Sequence, residues 1–357
     1  MPVYNGAATV ERALDSLLNQ DYPKDRYEII TVNDGSSDNT AEVLKAYKGV
    51  RYVELPRNMG IPSAQNAGLA VAKGDIYVSF NDDCQAAPDF LTQLAKGYAE
   101  LDKPLGLGGV LVKQAAGNVK GLVAHYIEAS GSGAAPSATD IGPSFLPGIA
   151  KRLLSYVLSN YIRKPQPTVS GTAEKVVELY GANASFPIEK LRQVGGWDET
   201  MAAPAIGGIE DRDVCFRLQQ AFPDYHFYAW HAARVMLEQD ADDTAVSFKT
   251  YLLRPYRRGP FNFAFHIRSG LTPPIFPFPL LITLAVLLTL PFWPLAALLE
   301  LLVLPLLCYG WWLQRALLER KPLYVLFPYL QLAEETMVIA GLVRGLIVHN
   351  RKKHAAR

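Results

Sequence analysis

The stretch that decides the fold reads YEIITVNDGS, residues 27–36. Its first six residues are rich in β-branched side chains, which is typical of a buried strand, and the last four form a polar turn. A second stretch of this kind, IYVSFNDD at residues 76–83, runs from an apolar strand into two acids. Ligands of open α/β sheets bind at the carboxyl ends of the strands. Acids directly after two strands therefore predict a binding site at this edge of a sheet.

Strand and helix patterns alternate around these two stretches. Helical spacing of apolar residues predicts helices over residues 10–18, 40–47 and 63–72, and a further strand is expected over residues 50–55. Later in the chain, an apolar strand over residues 227–235 follows a helix that begins near Glu210. This alternation predicts an α/β domain with a parallel, doubly wound sheet.

The N-terminal segment from Pro2 to Gly6 resembles a turn and leads directly into the first helical pattern. A parallel α/β domain normally has a buried strand before such a turn. We therefore expect the first strand of the sheet to be absent from this sequence.

The composition of the 357 residues excludes several classes of protein. The net charge of +1 gives no reason to expect a nucleic acid partner. The three cysteines lack the spacing of a zinc site and are too few for a disulfide framework. Half of the residues are hydrophobic and only 19% are charged, which is apolar for a soluble domain.

Most of this apolar character lies in the C-terminal part of the chain. Two apolar blocks, residues 275–292 and 295–313, are each close to the ~20 residues that cross a bilayer. A third block, residues 323–348, contains Glu334, Glu335 and Arg344 and favours an interfacial helix. We therefore predict an N-terminal domain over residues 1–268 and a membrane-associated helical region over residues 269–357.

Basic residues flank the two apolar blocks on both sides, which predicts a membrane hairpin with both ends in the cytoplasm. Because the second block contains Glu300, the hairpin either spans the bilayer or dips into it without crossing. A buried hairpin of a soluble protein remains the alternative. The segment of residues 117–170 is rich in small residues and is expected to be an insertion. Its apolar part, residues 149–163, lies either on a membrane surface or in a surface loop with one buried helix.

Three acidic motifs carry the candidate chemistry. Asp82 and Asp83 follow a buried strand, and adjacent carboxylates suit a hard divalent cation against a phosphate. Asp34 suits hydrogen bonds from a base or a ribose. Glu210 and Asp211 begin a helix, where acids also favour the helix dipole, and either one suits a general base for an acceptor hydroxyl.

Taken as an ordered set, these motifs resemble the inverting family 2 glycosyltransferases, which have the GT-A (Rossmann-like) nucleotide-sugar-binding fold. The resemblance covers roughly residues 2–259. The matching segments are PVYN at 2–5, DYP at 21–23, NDGSSD at 33–38, RNMG at 57–60, NDDC at 81–84, GAN at 181–183, GGWDE at 195–199 and ED at 210–211.

The resemblance implies a role for each matching position. Pro2 and Tyr4 would line the nucleobase pocket, Asp34 would bind the base or ribose, and Asn58 would contribute to donor binding. Asp82 would lie beside the donor ribose and diphosphate, and Asp83 would be the main protein ligand of Mg²⁺ or Mn²⁺.

On the acceptor side, the resemblance makes Asp211 the catalytic base and Glu210 its neighbour, and it places His231 near the diphosphate. The implied partners are a nucleotide-sugar donor, a lipid-linked or glycan acceptor and membrane lipids, with the catalytic domain facing the cytoplasm.

The sequence departs from the family at several positions. Asn81 stands where the metal motif usually begins with Asp, and Gln65 stands where Arg is common. The Gln-x-x-Arg-Trp motif of processive synthases is missing near residues 253–259, which favours transfer of single sugars. A processive polysaccharide synthase and a non-catalytic donor-binding scaffold remain the alternative functions.

Overall fold

A computed structural model describes residues 1–113, 156, 173–179, 181–203, 207–237, 248–271, 273 and 276–355. Tyr156 is the only described residue of the predicted insertion at residues 117–170, so the rest of the insertion and of its predicted surface segment 149–163 lies outside the described residues. Contacts divide the chain into two compact units. The first is Met1–Ala116 with Ser170–Ala241, and the second is Gly117–Val169 with Asp242–Arg357.

The first unit begins with a small parallel sheet. Its strands are β1 (Pro2–Val3), β2 (Ile29–Asn33) and β3 (Val50–Glu54), in that order across the sheet. The helices α1 (Val10–Leu18), α2 (Thr40–Ala46) and α3 (Ile61–Val71) alternate with these strands. Helix α1 buries Val10, Leu14 and Leu17 at helical spacing. The predicted alternation of strands and helices is confirmed over this region.

A larger, mixed sheet completes the first unit. Its strands are β4 (Ile76–Phe80), β5 (Cys84–Ala86), β6 (Pro104–Lys113), β7 (Ala173–Val176), β8 (Asn183–Pro187) and β11 (His226–Leu237). The order is β4-β8-β6-β11-β5, and β7 pairs with β11. Only β6 and β11 pair in parallel, and the other pairs are antiparallel. The prediction of a wholly parallel sheet is therefore wrong, because β8 inserts antiparallel between β4 and β6.

The remaining elements of the first unit are short. They are α4 (Phe90–Glu100), α5 (Ile188–Gln193), the 3-10 helix Glu199–Met201, the paired strands β9 (Ala202–Ala203) and β10 (Gly207–Gly208), and α6 (Glu210–Ala221).

The expectation of an absent first strand needs a partial correction. Pro2 and Val3 pair with Val32 and Asn33, and the N–H of Val32 donates to the carbonyl of Met1 at 2.9 Å. Apolar Met1 and Val3 are buried, which explains why so short a strand forms. A cavity of about 270 Å³ lies beside it, lined by residues of both β2 and β4.

The second unit is helical. Its helices are α7 (Phe248–Ser269), α8 (Pro277–Thr289), α9 (Pro294–Cys308), α10 (Gly310–Leu318), the 3-10 helix Pro322–Leu326 and α11 (Phe327–Ala355). Helices α7 and α11 touch at glycines, since a Cβ on Gly259 would lie 2.1 Å from the backbone of Gly341. This packing places α7 in the second unit, whose C-terminal part begins at Asp242, whereas the domain boundary predicted from the sequence lies at residue 268.

The interior of the second unit contains a polar group. Glu335 of α11 is buried and accepts hydrogen bonds from Tyr156 and, at 2.7 Å, from Tyr309. Trp312 donates to Gln331, which lies one turn before Glu335. These bonds satisfy a carboxylate that sequence reasoning placed on an interfacial helix.

The two predicted spans are shorter and more bent than expected. In the described part of the chain, no single helix is both long and apolar enough to cross a bilayer, whereas α9 and α10 together pass that test with a 67° bend between them. Helix α8 begins at Pro277, and Tyr309 alone separates α9 from α10.

Candidate active site

Asp34 lies at the end of β2 and holds a neighbouring loop. Its Oδ1 accepts from the backbone N–H of Met59 at 2.7 Å, and its Oδ2 accepts from that of Gly60 at 2.9 Å. Burial raises the pKa of Asp34, and these two hydrogen bonds partly oppose the rise. The carboxylate therefore fixes the loop of residues 57–60 against the end of β2, in addition to the donor contact that we predicted for it.

Gly35 allows the backbone of the turn after β2 to approach the loop of residues 57–60 closely. Its φ is +66°, and a Cβ there would lie 2.3 Å from the carbonyl carbon of Arg57. Only glycine fits this conformation and this distance. Asn58, next along the loop, is half-buried, and its buried Oδ1 has no hydrogen-bond partner among the described residues. An amide oxygen in this position suits a ligand that donates hydrogen bonds.

The segment after β1 reaches the same edge. The N–H of Asn5 donates to Ser36 at 3.0 Å, and the N–H of Ser37 donates to Asn5 at 2.8 Å. Tyr4 is 45% exposed and Pro2 is half-buried. Two of the predicted base-pocket residues thus lie beside the turn that carries Asp34.

Asp82 is brought to this segment by Gly6. A Cβ on Gly6 would lie 2.1 Å from Oδ2 of Asp82, so the carboxylate occupies the space that a side chain would take. Burial, followed by the charge of Asp83, raises the pKa of Asp82 to about 6. The contact between residues 6 and 82 was not predicted, because nothing in the local sequence pairs them.

Asp83 follows Asp82 and precedes β5, and its Oδ1 accepts from the Cys84 thiol at 3.5 Å. Among the described residues, no three His, Cys, Asp or Glu side chains form a group that would hold a metal ion by themselves. Mg²⁺ and Mn²⁺ in phosphate sites are typically bound through one or two carboxylates together with substrate oxygens. Hard oxygen ligands on Asp82 and Asp83 fit such a cation.

Asp211 lies in the first turn of α6, and the loop before β8 binds it. The N–H of Gly181 donates to Asp211 Oδ2 at 2.8 Å. A Cβ on Gly181 would lie 2.7 Å from Oδ1, so the carboxylate rests against a bare backbone. Glu210, the neighbouring candidate, is buried.

Strand β8 connects the Asp211 loop to the acidic pair. Asn183 pairs with Phe80, the residue directly before Asn81-Asp82-Asp83. The Asn183 side chain is buried, and its Oδ1 accepts from the N–H of Gly109 at 2.9 Å. The antiparallel insertion of β8 therefore brings the Asp211 loop to the end of β4, where both acids lie.

Two side chains that the sequence analysis did not single out, Asn66 and Arg217, hold the surrounding elements together. Asn66 of α3 makes a two-way bond with the backbone of Trp197: its Nδ2 donates to the carbonyl at 2.8 Å, and its Oδ1 accepts from the N–H at 2.9 Å. Arg217 of α6 bonds Asp213 at 2.7 Å and the carbonyl groups of Val194 and Gly196. Gln65, where relatives commonly carry Arg, donates to Ser79 at 2.9 Å.

His231 lies in an irregular part of β11, between the positions where the register with β6 shifts. It is half-buried, and its buried Nε2 has no hydrogen-bond partner among the described residues. Its place near a diphosphate stays a prediction.

Comparison with known proteins agrees with this geometry. Residues 1–137 match the family model described as glycosyl transferase family 2. This segment is a family 2 glycosyltransferase domain. The fold prediction is also confirmed, since a mannosyltransferase of Pyrobaculum calidifontis, PcManGT, covers 97% of this chain and 85% of its own at a TM-score of 0.54 and 20% identity.

Curated relatives match over short segments. A poly(ribitol-phosphate) beta-glucosyltransferase of Bacillus spizizenii is 41% identical over 87 residues, which are 23% of this chain and 14% of that protein. A dolichyl N-acetyl-alpha-D-glucosaminyl phosphate 3-beta-D-2,3-diacetamido-2,3-dideoxy-beta-D-glucuronosyltransferase of Methanococcus voltae is 27% identical over 123 residues, which are 32% of this chain and 38% of that protein. The chain thus spans well under half of the length of these relatives.

Proposed function

We propose that the protein transfers a sugar from a nucleotide-sugar donor to an acceptor hydroxyl with inversion at the anomeric carbon. The observation that carries this proposal is the placement of Asp211. Gly181 binds its carboxylate, and two residues later Asn183 pairs with the end of the strand that leads into Asp82 and Asp83. The loop that binds the proposed base and the pair of acids thereby lie at adjacent ends of β8 and β4.

The reaction is a single displacement. Asp211 takes the proton of the acceptor hydroxyl, and the oxygen attacks the anomeric carbon. A new C–O bond forms on one face of the sugar while the bond to the β-phosphate oxygen breaks on the other. The electron pair of that bond leaves with the nucleoside diphosphate.

Donor binding is assigned to the other group of residues. Pro2 and Tyr4 line the base pocket, Asp34 and Asn58 position the loop and the ribose, and Asp82 lies beside the diphosphate. Asp83 would hold Mg²⁺ or Mn²⁺, which when bound would neutralise charge on the leaving diphosphate. The structure of PcManGT was determined with GDP-Man and Mn²⁺, which supports this choice of donor class and cation.

The acceptor is assigned to the class of lipid-linked or glycan hydroxyls. The names of the relatives support this class, because one names poly(ribitol-phosphate) and the other a dolichyl-linked sugar. A site at the cytoplasmic face of a membrane suits both a cytoplasmic donor and a lipid-linked acceptor. The apolar helices of the second unit supply the contact with membrane lipids.

A donor screen tests the proposal. The full-length protein in membranes is incubated with a panel of nucleotide sugars and Mn²⁺, and release of nucleoside diphosphate is measured. Release confined to one or two donors, and lost in Asp211→Asn, is the expected result. Donor binding without any release, in wild type and in the presence of membrane glycolipids, would instead favour the non-catalytic scaffold.

A further inference from the structure

Helices α8 and α9 form a helical hairpin, residues 277–308, whose outer surface is largely apolar. Exposed leucines lie along both helices. They are Leu280, Leu281, Leu284, Leu287 and Leu288 on α8, and Leu295, Leu298, Leu299, Leu301, Leu302 and Leu307 on α9. Apolar patches of this extent are rare on soluble surfaces and mark interaction sites.

The tip of the hairpin is apolar too, and its backbone N–H groups are bonded within the hairpin. Phe292 and Trp293 are 74% and 71% exposed. The N–H groups of Leu290, Phe292 and Trp293 donate to carbonyl groups of α8, and residues 291 and 294 are prolines without an N–H. Internal satisfaction of backbone donors is what a hydrocarbon environment requires of a turn.

The single charged residue of the hairpin lies between its two helices. Glu300 is the only charged residue between Arg268 and Arg315. Thr289 of α8 donates to Glu300 Oε1 at 2.9 Å, and Glu300 Oε2 is buried. The carboxyl group therefore lies between the two helices, and the outer surface carries no charge.

Charge reappears just after the hairpin and is mostly basic. Arg315, Arg320 and Lys321 follow it, with one acid, Glu319, that pairs with Arg315 at 2.5 Å. Arg320 and Lys321 are exposed. Basic residues at the base of an apolar element complement anionic lipid headgroups.

From these four observations we infer that the hairpin is a wedge that inserts, tip first, into a bilayer with an anionic surface and does not emerge on the far side. Helix α8 has 13 residues and α9 has 15. At 1.5 Å a residue they are about 20 Å long, whereas the hydrocarbon core is about 30 Å thick. Lipid is the occupant because the exposed leucines continue into the exposed Phe292 and Trp293 of the tip, whose N–H groups are satisfied within the hairpin, and because basic residues follow the hairpin.

This inference deepens the proposed contact with membrane lipids, and its test does not use sugar transfer. The purified full-length protein is mixed with vesicles of phosphatidylcholine alone or with one-third phosphatidylglycerol, and binding is measured by flotation. We expect wild type to float with both vesicle types, and more tightly with the anionic ones. Asp211→Asn should float as wild type does, which separates this result from the fate of the proposed reaction.

Three sets of variants decide the case. Leu288→Glu combined with Leu295→Glu should weaken vesicle binding at least ten-fold. Val177→Glu adds one such charge at an exposed apolar site of the first unit and should bind as wild type does. Arg320→Gln with Lys321→Gln should lower affinity for anionic vesicles about five-fold for each charge removed, with little effect on neutral vesicles.

The depth of insertion is read from Trp293. The difference in fluorescence between wild type and Trp293→Phe should be quenched by lipids that carry bromine deep in the acyl chain. Unchanged flotation of the double leucine variant, or a Trp293 signal that acyl-chain bromine does not quench, would overturn the inference. The inference would also be overturned if the double leucine variant bound vesicles as wild type does but had a different oligomeric state in their absence. The hairpin would then be an interface between copies of this chain.

Discussion

Gly181 and Asp211 are joined by one hydrogen bond, from the backbone N–H of Gly181 to Oδ2 of Asp211 at 2.8 Å. The bond favours the ionised carboxylate and fixes its direction. The carboxylate of Asp211 is thus positioned by a backbone N–H group, which substitution of other side chains does not remove.

Gly181→Ala tests this positioning. The added Cβ would lie 2.7 Å from Asp211 Oδ1, so the carboxylate must move. Misplacement of a catalytic group by about 1 Å costs on the order of 100-fold in rate. We expect kcat to fall by about that factor while donor affinity is retained. Gly74→Ala is the matched control, because its Cβ would meet nothing closer than 3.8 Å. Equal rates for the two variants would contradict the role of Gly181.

Binding and chemistry should separate between Asp34 and Asp211. Asp211→Asn keeps an oxygen for the Gly181 N–H but cannot take a proton, so kcat should fall about 100- to 10,000-fold with donor affinity nearly unchanged. Asp34→Ala releases the Met59 and Gly60 amides and should weaken donor binding at least ten-fold. Donor titration and single-turnover transfer measure the two effects. Full transfer by Asp211→Asn would move the base to Glu210 or to another group.

The metal assignment predicts that Asp83→Ala and chelation have the same effect. Wild type in EDTA should lose transfer and regain it when Mn²⁺ is added in excess. Asp83→Ala should stay inactive at any Mn²⁺ concentration, since its ligand is gone. Asp224→Ala removes an exposed carboxylate from the turn before β11 and should leave activity unchanged. Undiminished transfer in excess EDTA would exclude a required divalent cation.

Local patterns predicted a large part of the first unit. Strand β4 begins and ends at the predicted residues, and α1 does as well. Periodicity suffices there, because each element buries one regular face. The positions of the acids after β2 and β4 could also be predicted from the sequence. They were proposed as site residues because ligands bind at the carboxyl ends of strands in such folds.

The remaining features depend on contacts between residues far apart in the chain. Strand β8 pairs with β4 across about a hundred residues, and no periodicity records which strand is its neighbour. The two hydrogen bonds that Asp34 accepts come from backbone amides, and these cannot be recognised from the side chains in the sequence. In the second unit, the apolar blocks were located correctly from their hydropathy. Hydropathy alone does not predict that α8 begins at Pro277 or that α9 ends at Cys308.

A buried ion pair in α6 gives the last prediction. The Asp213 side chain is fully buried, and Arg217 bonds it at 2.7 Å while also bonding the carbonyl groups of Val194 and Gly196. Loss of one partner of a buried pair leaves an uncompensated charge and costs about 3–5 kcal/mol. Arg217→Met should therefore lower the melting temperature of the first unit by about 10 °C.

The same helix supplies the control for that measurement. Arg212 pairs with Glu178 at 2.7 Å in a largely exposed position, and such pairs contribute about 0–1 kcal/mol. Arg212→Met should shift the melting temperature by no more than about 4 °C. Adding Asp213→Asn to Arg217→Met should recover part of the loss, because the buried charge is then removed. Equal shifts for Arg217→Met and Arg212→Met would show that Arg217 does not hold α6 to the loop at residues 194–196.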